Sequence, residues 1–198
     1  MLIDSLAFTL EKSGCLDTFW GKLDAGEDAT LGVAASARPF LVAARFAHAP
    51  QPTLVVVAGE DAAVAFARNV AAYVGEERVL RFPERVDYPF DPKPADRRVI
   101  AQRMEAAWAL KSGREVVVVA SARALLRLLP PVEANAARPI ALTAGEELED
   151  MGVEGAEELG DLPRALEAAG YANTGELDGP GTFAVRGGTV DVFPGNLC

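Results

Sequence analysis

Two stretches of the chain are apolar without interruption, Thr53 to Ala58 (TLVVVA) and Val116 to Ala120 (VVVVA). Continuous β-branched runs of this length suit strands covered on both faces of a parallel sheet, because no position along them is reserved for water. Each gives way to helical spacing. After the first, Val64, Ala67, Val70, Ala71 and Val74 recur at three and four residues, with Asp61 placed to cap the helix. After the second, Ser121 is placed to cap ARALLRLL, which Pro130 and Pro131 terminate. Arg78 to Phe82 predicts a further short strand, and the proline-rich stretch Pro83 to Pro94 leads to a helix predicted over Ala95 to Lys111. Ile100, Met104, Ala107 and Trp108 form one stripe of that helix, and Trp108 is predicted to be core. Strands alternating with helices predict an α/β layer with a mostly parallel sheet.

Past Pro131 the pattern changes. Glu146 to Asp161 is strongly acidic and glycine-rich, which predicts an exposed loop or a poorly ordered helix. Leu162 to Gly170 reads as a short helix capped by Asp161 and closed by Gly170. Thr182 to Arg186 and Thr189 to Phe193 alternate as strands, and Gly187-Gly188 between them can take positive φ, the pattern of a tight hairpin. That register puts Phe183, Val185, Val190 and Val192 on one face, with Ala184, Arg186, Thr189 and Asp191 on the other. Two domains are expected: an α/β domain over residues 1–130 and a smaller α+β domain over 131–198 ending in the hairpin.

Composition narrows the function. At 198 residues, half of them hydrophobic, the chain can bury a real core. Its 29 acidic and 19 basic residues leave a formal charge of −10, which repels a phosphate backbone, so direct nucleic-acid binding is not expected. Cys15 and Cys198 have no C-x-x-C spacing and His48 is the only histidine, which argues against a disulfide framework or a metal site. The start of the chain lacks a cationic segment followed by an apolar run, and no apolar stretch is long enough to cross a bilayer. The expected location is a reducing cytoplasm.

The candidate chemistry lies in TLGVAASARPFLVAARF, Thr30 to Phe46. A Leu-Gly-Val entry, a small-residue turn and an apolar helix are laid out like a phosphate-binding loop. However, no glycine follows Gly32, and Arg38-Pro39 stand where a lysine and a Mg²⁺-binding Ser or Thr would be required. Gly32, Ser36 and Arg38 therefore mark a degenerate loop, and no catalytic residue, bound cofactor or metal is expected. The sequence reads as lacking an Asp-Glu pair at the end of a buried strand to hold Mg²⁺. Arg186 has two readings, a surface pair with Asp191 across the hairpin or an anchor for a partner.

GTFAVRGGTVDVFP, Gly181 to Pro194, resembles the G-x-[FY]-x-x-R-G-x-x-x-D-[LIV]-[FY]-P signature of the bacterial transcription-repair coupling factors, shared with the excision-repair helicase UvrB. ARALLRLLPPVE (Ala122 to Glu133), LEAAGY (Leu166 to Tyr171) and the Asp91 to Leu110 segment agree in order and spacing, so the resemblance covers nearly the whole chain. UvrB needs Gly-Lys-Thr in its loop, whereas the N-terminal module of the coupling factors has lost it. GVAASARPF matches the degenerate case. The resemblance thus implies a helicase-like fold that binds no nucleotide and whose second domain recruits UvrA. The ATP- and Mg²⁺-dependent DNA translocase, and the contacts to RNA polymerase and DNA, would lie in downstream domains. The chain is accordingly expected to be an N-terminal fragment that stops short of its domain's last strands. The implied partner-binding residues are Arg186, with Arg164 by proximity, Tyr171 and Phe183, the last read equally as core. Ala172 stands where relatives often carry a basic residue. The alternative is a divergent ATPase or helicase domain of the UvrB type.

Overall fold

The structure, a computed structural model, describes residues 12–85, 96–127, 129 and 139–195. The expected domain boundary at Pro130-Pro131, most of the proline-rich stretch and Cys198 lie outside the described residues.

Helices α1 (Asp17–Asp24) and α2 (Arg38–His48) precede the first sheet. That sheet contains β1 (Thr53–Val57), β2 (Val79–Phe82) and β3 (Val117–Ser121), all parallel and ordered β1-β3-β2. Helix α3 (Glu60–Val74) connects β1 to β2, and α4 (Arg97–Lys111) connects β2 to β3. β3 lies at the centre, and every one of its residues is buried. Its alternate side chains serve two cores. Val117 and Val119 pack with Ala43 and Phe46 of α2 and with Ala63, Ala67 and Val70 of α3. Val118 and Ala120 pack with Phe82 and with Ala106 and Ala109 of α4.

β1 departs from the expectation of two covered faces. Val55 and Val57 turn toward α2 and α3, but Leu54 and Val56, paired in register with Val118 and Ala120 on the α4 face, are 45% and 50% exposed. Helix α4 covers β2 and β3 and leaves that half of β1 bare. An uninterrupted apolar run therefore fits a strand with one covered face as readily as one with two.

Three helix details also differ from the sequence reading. Asp61 is not the cap of α3: Gly59 holds that position without a side-chain hydrogen bond, and Glu60 and Asp61 lie in the first turn, where negative charge suits the helix dipole. On α4 the buried positions are Arg103, Ala106 and Ala109, so Ile100 and Trp108 are not core: Ile100 is exposed, and Trp108 is half-buried beneath the Lys111 ammonium. The start of α4 is capped as such sequences require, the Asp96 carboxylate accepting from the Arg98 N–H at 2.8 Å. After β3, Ser121 accepts the Ala124 N–H as expected. The result is a single 3₁₀ turn, Ala124–Leu126, before Arg127 returns to extended backbone.

The second sheet comprises β4 (Ala172–Asn173), β5 (Thr182–Arg186) and β6 (Thr189–Phe193), with β4 parallel and β6 antiparallel to the central β5. Helix α5 (Leu162–Ala168) covers one face, burying Leu162 and Leu166 against Phe183, with Val190, Val192, Ile140, Leu148 and Tyr171 around them. The hairpin register is the predicted one, Arg186 opposite Thr189 and Phe183 opposite Val192. Only Gly187 of the two turn glycines takes positive φ, at +57°. Val185, next to the hairpin turn, is 44% exposed despite its apolar face. Helix α5 ends as predicted: Gly170 has φ +90°, and the N–H groups of Gly170 and Tyr171 reach back to Glu167 and Leu166. At its start Asp161 holds the cap position, but its carboxylate accepts from the Glu157 and Glu158 N–H groups rather than from the helix. The acidic stretch before it is exposed over most of its length and holds one 3₁₀ turn, Glu149–Met151. The second sheet approaches α4, since a Cβ on Gly195 would stand 2.8 Å from that of Ala101, and Arg97 pairs with Asp178 at 3.8 Å.

Candidate interaction surface

The degenerate loop opens the chain's approach to α2. Thr30 to Ala34 forms no strand, a 3₁₀ turn spans Ala35–Ala37, and α2 starts at Arg38 with Pro39 buried in its first turn. Gly32 is exposed and does not take positive φ. Ser36 and Arg38 are exposed. Among the described residues no group of His, Cys, Asp and Glu could hold a metal ion, and no helix is long and apolar enough to cross a membrane.

The expected partner-binding residues separate in space. Arg186 is exposed at the end of β5. Its guanidinium lies 3.6 Å from the Glu176 carboxylate and donates to the Gly175 carbonyl at 3.4 Å. The pair with Asp191 is not formed, because the hairpin register sets Asp191 opposite Ala184. Asn173 accepts the Gly175 N–H, and Gly175 takes φ +70°, so the turn after β4 delivers Glu176 to Arg186. Arg164 is exposed on α5. Tyr171 belongs to the other end of β5, since its neighbour Ala172 pairs with Thr182. Four residues of strand put it about 13 Å from the Arg186 end. Its hydroxyl accepts the Gly195 N–H at 3.4 Å. Phe183 is fully enclosed by α5 and β6 and offers no surface to a partner, which decides between its two readings in favour of core.

A polar cluster that sequence reading missed lies at the carboxyl end of the first sheet. Glu60, the first residue of α3, accepts from Arg81 through one carboxylate oxygen and from the Glu84 N–H at 3.1 Å through the other. Glu84, two residues past β2, accepts the Ser121 hydroxyl at 2.5 Å and faces the Arg123 Nε at 4.0 Å. Close by, the buried Arg103 donates to the carbonyls of Pro83, Ala124 and Arg127, with its guanidinium 3.9 Å from the centre of the Phe82 ring. The sequence signal was present in Gly59-Glu60 and Pro83-Glu84, acidic residues directly after two strands, but only the fold brings them together.

The architecture thus defines an α/β protein in which a parallel-sheet unit precedes a small mixed sheet with a terminal hairpin. Over most of that length the chain is a distant homologue of the transcription-repair-coupling factors and of UvrB. It is 29% identical over 171 residues to the transcription-repair-coupling factor of Myxococcus xanthus, covering 83% of this chain and 14% of that protein. The coupling factor of Bacillus subtilis is 24% identical over 168 residues, 85% of this chain and 14% of the other. The UvrABC system protein B of Thermotoga neapolitana is 26% identical over 178 residues, 83% of this chain and 25% of the other. No family model matches the chain. The chain therefore spans about a seventh of the coupling factors' length and a quarter of UvrB's.

Proposed function

We propose that this chain is the UvrB-like, non-catalytic N-terminal module of a transcription-repair coupling factor, and that it recruits UvrA for nucleotide excision repair in the bacterial cytoplasm. One observation carries the reading: the chain is similar to coupling factors and to UvrB alike, yet Arg38-Pro39 replace the lysine and hydroxyl a nucleotide loop requires. In such a protein ATP and Mg²⁺ serve a translocase outside this chain, and RNA polymerase and DNA are engaged there too. The second unit is the UvrA-binding part, with Arg186 as its anchor and Arg164 and Tyr171 as further candidates.

Calorimetric titration of the chain with purified UvrA tests this. Arg186→Ala should weaken association by about 2 kcal/mol, as loss of an interface arginine commonly does. The thermal midpoint should stay within a few degrees, since only an exposed pair is lost. Glu176→Ala removes the same pair without the guanidinium and is the control. Unchanged UvrA binding by folded Arg186→Ala would end the residue's proposed role. Failure of the parent chain to bind UvrA would count against the module. Mg-ATP hydrolysis above background would favour the alternative, a divergent ATPase of the UvrB type.

A further inference from the structure

Open parallel sheets hold their ligands beyond the carboxyl ends of the strands, where backbone N–H groups, hydroxyls and guanidinium groups receive anionic oxygens. The first sheet has such donors in that place: the Glu84 N–H, the Ser121 hydroxyl and the guanidinium groups of Arg81 and Arg123. The first two and Arg81 hydrogen-bond an oxygen belonging to the chain itself, and the exposed Arg123 Nε stands 4.0 Å from another. Both oxygens of Glu60 and both of Glu84 face a donor, and Glu84 is buried to a side-chain exposure of 15%.

We propose that Glu60 and Glu84 are built-in oxyanions that close this crevice: they take the donors a ligand phosphate or carboxylate would use, and they join the ends of the three strands as a ligand would. The connectivity supports both parts. Glu60 follows β1, Arg81 lies within β2 on the α3 face in register with Val119, and Ser121 ends β3. The two carboxylates thus link all three strand ends. Glu60 stands in the first turn of α3, where the helix dipole favours the negative charge an incoming phosphate would otherwise supply. Ser121 gives its proton to Glu84 and accepts the Ala124 N–H at 3.0 Å, so its hydroxyl is used in both directions. The Arg81 Nε–H is buried without a hydrogen-bond partner among the described residues. It is the donor left over when a two-oxygen carboxylate fills a place where phosphate presents more oxygens.

The experiment is chemical rescue, read as thermal midpoint in sodium phosphate against sodium chloride at matched ionic strength. The parent chain should melt at the same temperature in both. Glu60→Ala and Glu84→Ala should melt lower than the parent in chloride, and at 50 mM phosphate each should recover by about 3 °C, as expected if millimolar anion binds only the folded state. Adding Arg81→Gln to Glu60→Ala should abolish that recovery, which separates the crevice from other cationic places on the surface. If the alanine variants do not fold, Glu60→Ser and Glu84→Ser, which also lose the charge and vacate the place, should show the same phosphate-specific rise. Absence of a phosphate effect in every folded variant, or an equal effect in the parent, would overturn the proposal. Alanine variants as stable as the parent would remove the joining role.

Discussion

The two halves of this molecule use their charge in opposite ways. Residues 1–138 contain 17 acidic and 17 basic residues and are formally neutral, whereas residues 139–198 contain 12 acidic and 2 basic and carry the whole −10. In the first half a few charges are structural fittings: Arg103 is buried on three carbonyls, and Glu60, Arg81 and Glu84 join strand ends. In the second they face water, and its two cations, Arg164 and Arg186, stand on an acidic surface, Arg186 paired there with Glu176. The cores differ in parallel. β3 is buried from end to end between two helical layers, while the second sheet rests chiefly on Leu162, Leu166 and Phe183 beneath one short helix. A unit with a double-sided core can keep charge inside and neutralise it there. One with a single small core has most of its surface left for solvent and partners.

The largest expected effect breaks the weaker half. Phe183→Ala removes the biggest side chain from the second core and should cost about 3–5 kcal/mol. If the halves hold together independently, calorimetry should show the second unit's transition lost and the first retained; a single transition shifted as a whole would show that the halves melt together. Arg103→Met tests the first half, leaving three carbonyls without their donor at a cost of roughly 3 kcal/mol, with Arg103→Lys recovering only part of it. Equal stability of Arg103→Met and the parent in urea would mean that those carbonyls find other partners. The smallest contrast lies within one sheet. Val118→Thr buries a hydroxyl in the central strand and should cost about 1–3 kcal/mol, whereas Val56→Thr on bare β1 should stay within ~0.5 kcal/mol. Comparable losses at both would show that the exposed face of β1 is covered in solution.

Much of this was legible along the chain because it depends on local rules. The β-branched runs placed β1 and β3, and helical spacing placed α3. Gly187 fixed the hairpin and Gly170 the end of α5, since both positions take a positive φ that glycine adopts without strain. The gap at Arg38-Pro39 was equally plain, because a phosphate loop needs particular side chains at particular spacing. What only the tertiary structure decided was which faces and which distant side chains meet. The bare side of β1, the shift of α4's buried face from Trp108 to Arg103, the enclosure of Phe183 and the choice of Glu176 over Asp191 as partner of Arg186 all depend on strand order and on the neighbour packed above. So does the meeting of Glu60, Glu84 and Ser121, which lie 24 and 37 residues apart in the chain. Periodicity reports that a residue has an apolar or polar face, but the fold alone supplies what stands opposite it.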